Sequence, residues 1–171
     1  MLKKYLFRPY DPKYKILFRK EKAKLGTILP KDARVEHTGS TAVPGLGGKG
    51  ILDLIISVKR EDLQRTKGRL EKNGYEFRVK GGDNERMFFH KDYMHAGRVR
   101  RVHVHLTHHV SRTWREHIAF RNYLRKNPDK AREYEKIKKQ AVKLCKGEGE
   151  TYRKHKNNFV NNLTRKALKE F

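Results

Sequence analysis

At 171 residues the chain has the size of one domain and can bury roughly 70% of its unfolded surface without cross-links. Its one cysteine, Cys145, excludes an intrachain disulfide framework and suits a reducing, intracellular setting. A net charge of +24 makes the surface attractive to polyanions such as RNA, DNA or nucleotide phosphates.

That charge is spread along the chain. Residues 1–108 hold 25 Lys/Arg against 12 Asp/Glu, and residues 109–171 hold 18 against 7, so it is not gathered in a tail. Adaptation to heat also enriches surface charge, but it usually adds Glu along with Lys. The opening MLKKYLFRPYDPKY contains no apolar run of signal-peptide length, and no later segment is apolar for long enough to span a bilayer. These features predict a cytoplasmic protein with no membrane partner.

In chain order, Asp11-Pro12 opens a helix over residues 10–29, with Tyr14, Leu17, Phe18, Leu25 and Ile28 at helical spacing and Pro30 as its stop. A short strand follows at residues 33–37, then a Gly-rich loop. Residues 51–58, ILDLIISV, read as a central strand covered on both faces and interrupted by Asp53. A helix over 61–73 ends at Gly74, and strands are expected at 75–79, 87–90 and 99–107. From Ser111 onward the pattern is helical. Trp114, Ile118 and Leu124 mark one helix; Ala131, Tyr134, Ile137, Ala141 and Leu144 mark a second after Asn127-Pro128. Tyr152, Phe159, Leu163 and Ala167 mark a third beyond the break at Gly147 and Gly149. The expected fold class is α+β: a small mixed β-sheet with flanking helices, in a single domain over residues 1–171 whose C-terminal part is helical from about 111. The apolar stripes of the late helices read as core packing.

The chemistry concentrates in residues 35–58, VEHTGSTAVPGLGGKGILDLIISV. A Gly-Ser turn at Gly39-Ser40 lets a phosphate approach closely, with the Ser hydroxyl as an extra donor, and Lys49 adds a cation before the strand. A P-loop is excluded, because its first Gly position is Val43 and its final Ser/Thr is Gly50. Asp53 lies among aliphatic residues, where a carboxylate must be paired, hydrogen-bonded or bound to metal. His103 and His105 in VHVHL point to one face of a strand, as metal ligands, an acid/base pair or phosphate donors. Neither a Cys cluster nor a zincin spacing accompanies them, which argues against zinc.

The run VEHTGSTAVPGLGGKGILD resembles the hallmark of the GrpB-like family of the nucleotidyltransferase superfamily. The resemblance continues through HVHL (103–106), WREHIAFRNYLRKNP (114–128), AREYEKIKK (131–139) and residues 152–159, so it covers essentially the whole chain. It implies a nucleotidyltransferase-like core in which a Gly-Ser motif at a helix start grips a nucleoside triphosphate. Divalent metal, Mg²⁺ or Mn²⁺, would then assist transfer of a nucleoside monophosphate to an acceptor. Carried over by position, Gly39 and Ser40 would grip the phosphates and Asp53 would hold the metal, with Lys49 matching the family's loop Lys. Read from the residues themselves, Thr41 joins Gly39, Ser40 and Lys49 as nucleotide-binding, His103 and His105 join Asp53 as catalytic, and His105 and Glu36 join Asp53 as metal ligands. The sequence departs from the superfamily pattern in one respect. A second acid two residues from Asp53 is missing, its positions being Ile51 and Ile55. Three functions stay open: an NTP-dependent nucleotidyltransferase, a catalytically silent RNA- or polyanion-binding protein, and a metal-dependent phosphohydrolase.

Overall fold

In the computed structural model, which describes residues 6–171, ten regular elements follow the expected order. The absent-signal-peptide expectation rests partly on residues 1–5, outside that range. Helix α1 spans Lys13–Gly26, and Asp11 Oδ1 accepts the Lys13 N–H at 2.9 Å. Strand β1 is Arg34–Thr38 and β2 is Ile51–Val58. Helix α2, Leu63–Lys72, is entered through a single 3-10 turn at Arg60–Asp62, which takes the place of the first turn expected of an α-helix. Strands β3 (Glu76–Phe77), β4 (Met87–His95) and β5 (Arg98–His108) come next. Helices α3 (Arg112–Lys126), α4 (Pro128–Leu144) and α5 (Gly149–Ala167) complete the chain, with Ser111 Oγ capping α3 through the Trp114 N–H at 3.0 Å.

The five strands form one mixed sheet in the order β1-β2-β5-β4-β3. Strands β2 and β5 run parallel, and the other neighbours are antiparallel. A parallel pair needs a crossover, and the segment carrying α2, β3 and β4 supplies it. Strands β4 and β5 form a longer hairpin than the sequence pattern suggests, turning through Ala96 and Gly97, both at positive φ. The strand expected at 75–79 shrinks to two residues, because Arg78 gives its N–H to Phe88 O and the chain then curls into a 3-10 turn at Val79–Gly81. Gly149 begins α5 instead of breaking the chain; the break is Gly147, at φ +90°.

Strand alternation separates two chemistries. One face carries Val35, Leu52, Leu54, Ile56, Val102, Val104, Leu106 and Phe89, packed against Tyr14, Leu17 and Leu25 of α1 and Leu70 of α2. On the other face the register aligns Thr38, Asp53, His103 and His90 in one row and Glu36, Ile55, His105 and Phe88 in the next. Helices α3–α5 pack around a second core of Ala119, Tyr123, Leu124, Ala131, Tyr134, Leu163 and Ala167, joined by Val43 and Leu46 of the Gly-rich loop. That loop is therefore wedged between sheet and helices.

Phe89 is fully buried at the centre of the first core. Phe89→Ala should lower unfolding free energy by about 3–5 kcal/mol in urea titration, with the cofacial histidine row keeping its NMR shifts.

Candidate functional site

The site begins where β1 ends. Gly39 takes φ +69°, and a Cβ there would lie 2.9 Å from Asp53 Cβ and closer still to Oδ2. Only glycine lets the loop descend onto the aspartate. The residues after it, Ser40–Ala42, form one 3-10 turn and not the start of an α-helix, because Pro44 and Gly45 redirect the chain at once.

Helix α4 clamps this loop. Lys138 Nζ donates to Ser40 Oγ at 2.6 Å and to Gly47 O, and Glu135 Oε2 accepts the Gly47 N–H at 2.9 Å. Thr41 is stitched inward: its hydroxyl donates to Ile51 O at 3.0 Å and so accepts from His37 Nε2 at 2.9 Å. Thr38, which pairs with Asp53 across the strands, has the opposite character. Its Oγ1 is buried without a partner on the cleft wall, a donor and acceptor that a ligand could satisfy.

Asp53 sits at the bottom of a cleft of about 680 Å³ and keeps a quarter of its side-chain surface accessible. Burial alone would raise its carboxyl, but the hydrogen bond from His103 and the charges of His103 and Lys49 outweigh burial and hold it at about 2. His103 Nδ1 lies 3.1 Å from Asp53 Oδ1, so that nitrogen carries the proton. Its Nε2 has no partner among the described residues and is the ring nitrogen left to a ligand.

His105 is set the other way. Arg86 Nη1, which can only donate, lies 2.9 Å from His105 Nδ1, so the proton is on Nε2, which faces Asp53 Oδ1 at 4.0 Å. Burial, with His117 and Arg86 nearby, holds His105 well below its ordinary value, and burial and Arg86 push His117 down to about 4. The rings of His105 and His117 lie 4.8 Å apart. The pair His103/His105 is thus split into one acceptor and one donor.

Three lysines line the cleft. Lys49 lies 5.0 Å from the Tyr152 ring, Lys156 4.7 Å from the same ring, and Lys138 4.7 Å from the Tyr134 ring. Burial lowers all three. Lys138 falls to about 7, with Lys156 adding to the effect, and Asp53 opposes the shift in each.

The expected metal set does not assemble. Glu36 lies one row from Asp53, and its carboxylate is taken by Arg121 Nη1 at 2.6 Å. His105 cannot offer its Nε2 lone pair while Arg86 holds Nδ1. Among the described residues no group of three or more His, Cys, Asp or Glu side chains is arranged to hold an ion. The donors present do not fit a resident Mg²⁺ or Mn²⁺. The sequence reading brought together Gly39, Ser40, Lys49, Asp53, His103 and His105, but it passed over Thr38, Arg86, His117, Lys138 and Lys156. One signal was available: Lys138 falls within the buried stripe of Ala131, Tyr134 and Ala141, where a lysine is out of place.

A mixed sheet whose Gly-Ser loop rests on a strand aspartate, backed by a helical C-terminal part, defines an α+β protein with its cleft between sheet and helices. The chain belongs to the GrpB family: residues 6–166 match the family described as GrpB protein. A solved structure of conserved protein GrpB from Enterococcus faecalis superposes with TM-score 0.83 at 31% identity, covering 96% of this chain and 98% of that one. A UPF0157 protein of Pseudomonas aeruginosa is 34% identical over 94% of this chain, and the glutamate-rich protein GrpB of Alkalihalophilus pseudofirmus 29% identical over 90%. This chain spans 66% of the Pseudomonas protein, 90% of the Alkalihalophilus protein, and 38% of the Bacillus subtilis relative YqkA. The Cid1 poly(U) polymerase bound to MgGTP shares the fold at TM-score 0.53 and 14% identity, over 80% of this chain and 44% of that one. No helix among the described residues is long and apolar enough to cross a membrane.

Two acid windows follow from these shifts. His37 and His117, each depressed to about 4 chiefly by burial, stay neutral when folded, while the unfolded chain gains protons below 6.5. Their contribution is complete above 6.5 and is lost as pH falls toward 4. Asp53 acts lower: its contribution is present above 3.8 and is lost as pH falls through about 2. In scanning calorimetry, His117→Gln should flatten the upper window and Asp53→Asn the lower one.

Proposed function

We propose that the cleft binds a nucleoside triphosphate and that the protein passes the nucleoside monophosphate to an acceptor hydroxyl. The observation that carries this reading is the convergence, in a cleft of about 680 Å³, of the Gly39 turn, the unpartnered Thr38 hydroxyl and three lysines around one aspartate–histidine pair. The volume suits a nucleotide. Tyr134, Tyr152 and Phe120 line the same cleft and give it an apolar wall. The superposition on Cid1, whose crystals held MgGTP, supports the comparison at the level of fold.

In this reading Asp53 orients His103 with Nδ1 protonated, so Nε2 is the base. The acceptor O–H attacks the α-phosphorus, and its proton passes to His103 Nε2. A new O–P bond forms, the bond from the α-phosphorus to the bridging oxygen breaks, and pyrophosphate leaves with the electron pair. Lys49 and Lys156 meet the charge on the departing phosphates, and Lys138 holds Ser40 in place. His105, as an N–H donor, steadies the carboxylate side of the site.

A second reading rests on the +24 charge: the surface binds RNA non-specifically. One relative described as glutamate-rich makes a lysine-rich composition a weak guide to what the family shares, so the weight falls on the cleft.

Thr38→Val separates the two readings. Removing a buried hydroxyl that has no partner should raise stability by about 1–3 kcal/mol, while the thermal shift produced by ATP, GTP, CTP or UTP shrinks. If every nucleotide leaves the wild-type melting temperature unchanged, the transferase reading fails. Salt-dependent RNA binding untouched by Thr38→Val would then identify the surface as the functional feature.

A further inference from the structure

We infer that the cleft takes its polyphosphate free of divalent cation, with Lys49, Lys138 and Lys156 supplying the positive charge that an ion would otherwise bring. The inference rests on the nucleotide reading above and goes beyond it by naming the ionic form of the ligand.

Three observations lead there. The first is donor chemistry. An ion at Asp53 would find that one carboxylate as its protein oxygen ligand and would depend on water and phosphate for the rest, because Glu36 is bound to Arg121, and Glu116, the other carboxylate on the cleft wall, is held by Arg112 at 2.6 Å. The His103 nitrogen nearest Asp53 carries a proton, and Arg86 keeps the His105 nitrogen nearest Asp53 protonated as well.

The second is charge balance. Lys138 is 2% exposed, and its ammonium rests on two neutral oxygens, Ser40 Oγ and Gly47 O. Neither Lys138 nor Lys156 forms an ion pair among the described residues. Lys49, Lys138 and Lys156 all feel the field of Asp53, and Lys156 in turn repels Lys49 and Lys138. On the cleft wall Asp53 is the carboxylate not already paired with an arginine, and it faces Lys49, Lys156 and a Lys138 whose charge burial weakens, so the hollow is positive on balance, which disfavours a cation and favours an anion.

The third is Thr38. Its buried Oγ1, unpartnered and on the cleft wall beside Asp53, is a neutral donor suited to a phosphate oxygen. A free triphosphate carries more negative charge than its magnesium complex, so the hollow favours the free form. Arg86 emerges as a positioning residue, since it reaches His105 from outside the cleft lining and fixes which imidazole nitrogen faces the aspartate.

The test is calorimetric titration of the full chain with ATP, GTP, CTP, UTP and inorganic tripolyphosphate at matched ionic strength, in EDTA and again with Mg²⁺ or Mn²⁺. Binding in EDTA should equal or exceed binding with metal. Lys156→Met should weaken metal-free binding by about ten-fold or more, and Asp53→Asn, which removes a repulsive carboxylate, should tighten it. Mn²⁺ should leave the NMR signals of His103 and His105 unbroadened, a readout that does not depend on either variant folding. Binding that is about ten-fold tighter with a divalent ion and lost in Asp53→Asn would overturn the inference while leaving the nucleotide reading intact. Absence of nucleotide and tripolyphosphate binding in both conditions would overturn both.

Discussion

The structure depends on keeping one ionised aspartate at the bottom of a cleft. Desolvation opposes the charge on Asp53, and the fold answers with a hydrogen bond from His103, the charge of Lys49 and a glycine that leaves the carboxylate room. Each answer imposes a further requirement. The glycine must take a positive φ, so the loop must turn away from β1 at that residue and nowhere else. The histidine must stand opposite Asp53, which the parallel register of β2 and β5 provides. Lys49 comes from the Gly-rich loop itself, whereas Lys138 and Lys156 come from α4 and α5, which must fold back over the sheet to bring them.

This explains why the molecule has two cores joined by one loop. The first core lies beneath the sheet and would suffice to hold strands and α1 together. The second contains Val43 and Leu46 from the loop and the apolar stripes of α3–α5. With Val43 and Leu46 buried, Ser40 has little freedom, and α4 adds the Lys138 and Glu135 bonds to the same loop. The polar face of the sheet is covered without being filled, and the cleft is what remains between the two packing units. In physical terms, the cleft is held open by rigid elements on both sides.

Much of this arrangement was legible from local pattern. Strand β2 is given residue for residue by an aliphatic run, and the cofacial histidines by a spacing of two. The α+β class and the helical C-terminal part follow from the same change of period near Ser111. What escaped depends on distance in sequence. Nothing near Arg86 announces that its guanidinium caps a histidine nineteen residues on. Nothing near Lys138 announces a serine ninety-eight residues back, except that its position in a buried stripe should have been apolar. Glu36 failed as a ligand for the converse reason. It lies on the correct strand and face, but the register places it opposite Ile55, and α3 delivers Arg121 to it. Tertiary contacts assigned these side chains their partners.

The lysines raise a final question of cost. An ammonium group removed from water is unfavourable unless opposite charge accompanies it, and here burial depresses all three lysines while Asp53, and for Lys138 Glu135 as well, only partly offsets it. A chain that only needed stability could place leucine or methionine at those positions and pack against Tyr134 and Tyr152 equally well. Lys49 and Lys156, with a Lys138 that burial holds at about 7, therefore leave the energy of mutual repulsion in the ligand-free cleft. Such energy is recovered when an anion enters, and the recovery is largest for the anion with the most charge in the smallest volume. A polyphosphate meets that condition better than a carboxylate, a single phosphate or a long flexible polymer. In the proposed transfer the same preorganised charge would stabilise a leaving pyrophosphate more than the intact ester, because negative charge accumulates on the departing group as the bond breaks. Binding and transfer would thus draw on one electrostatic arrangement, set by the way α4 and α5 fold over Asp53.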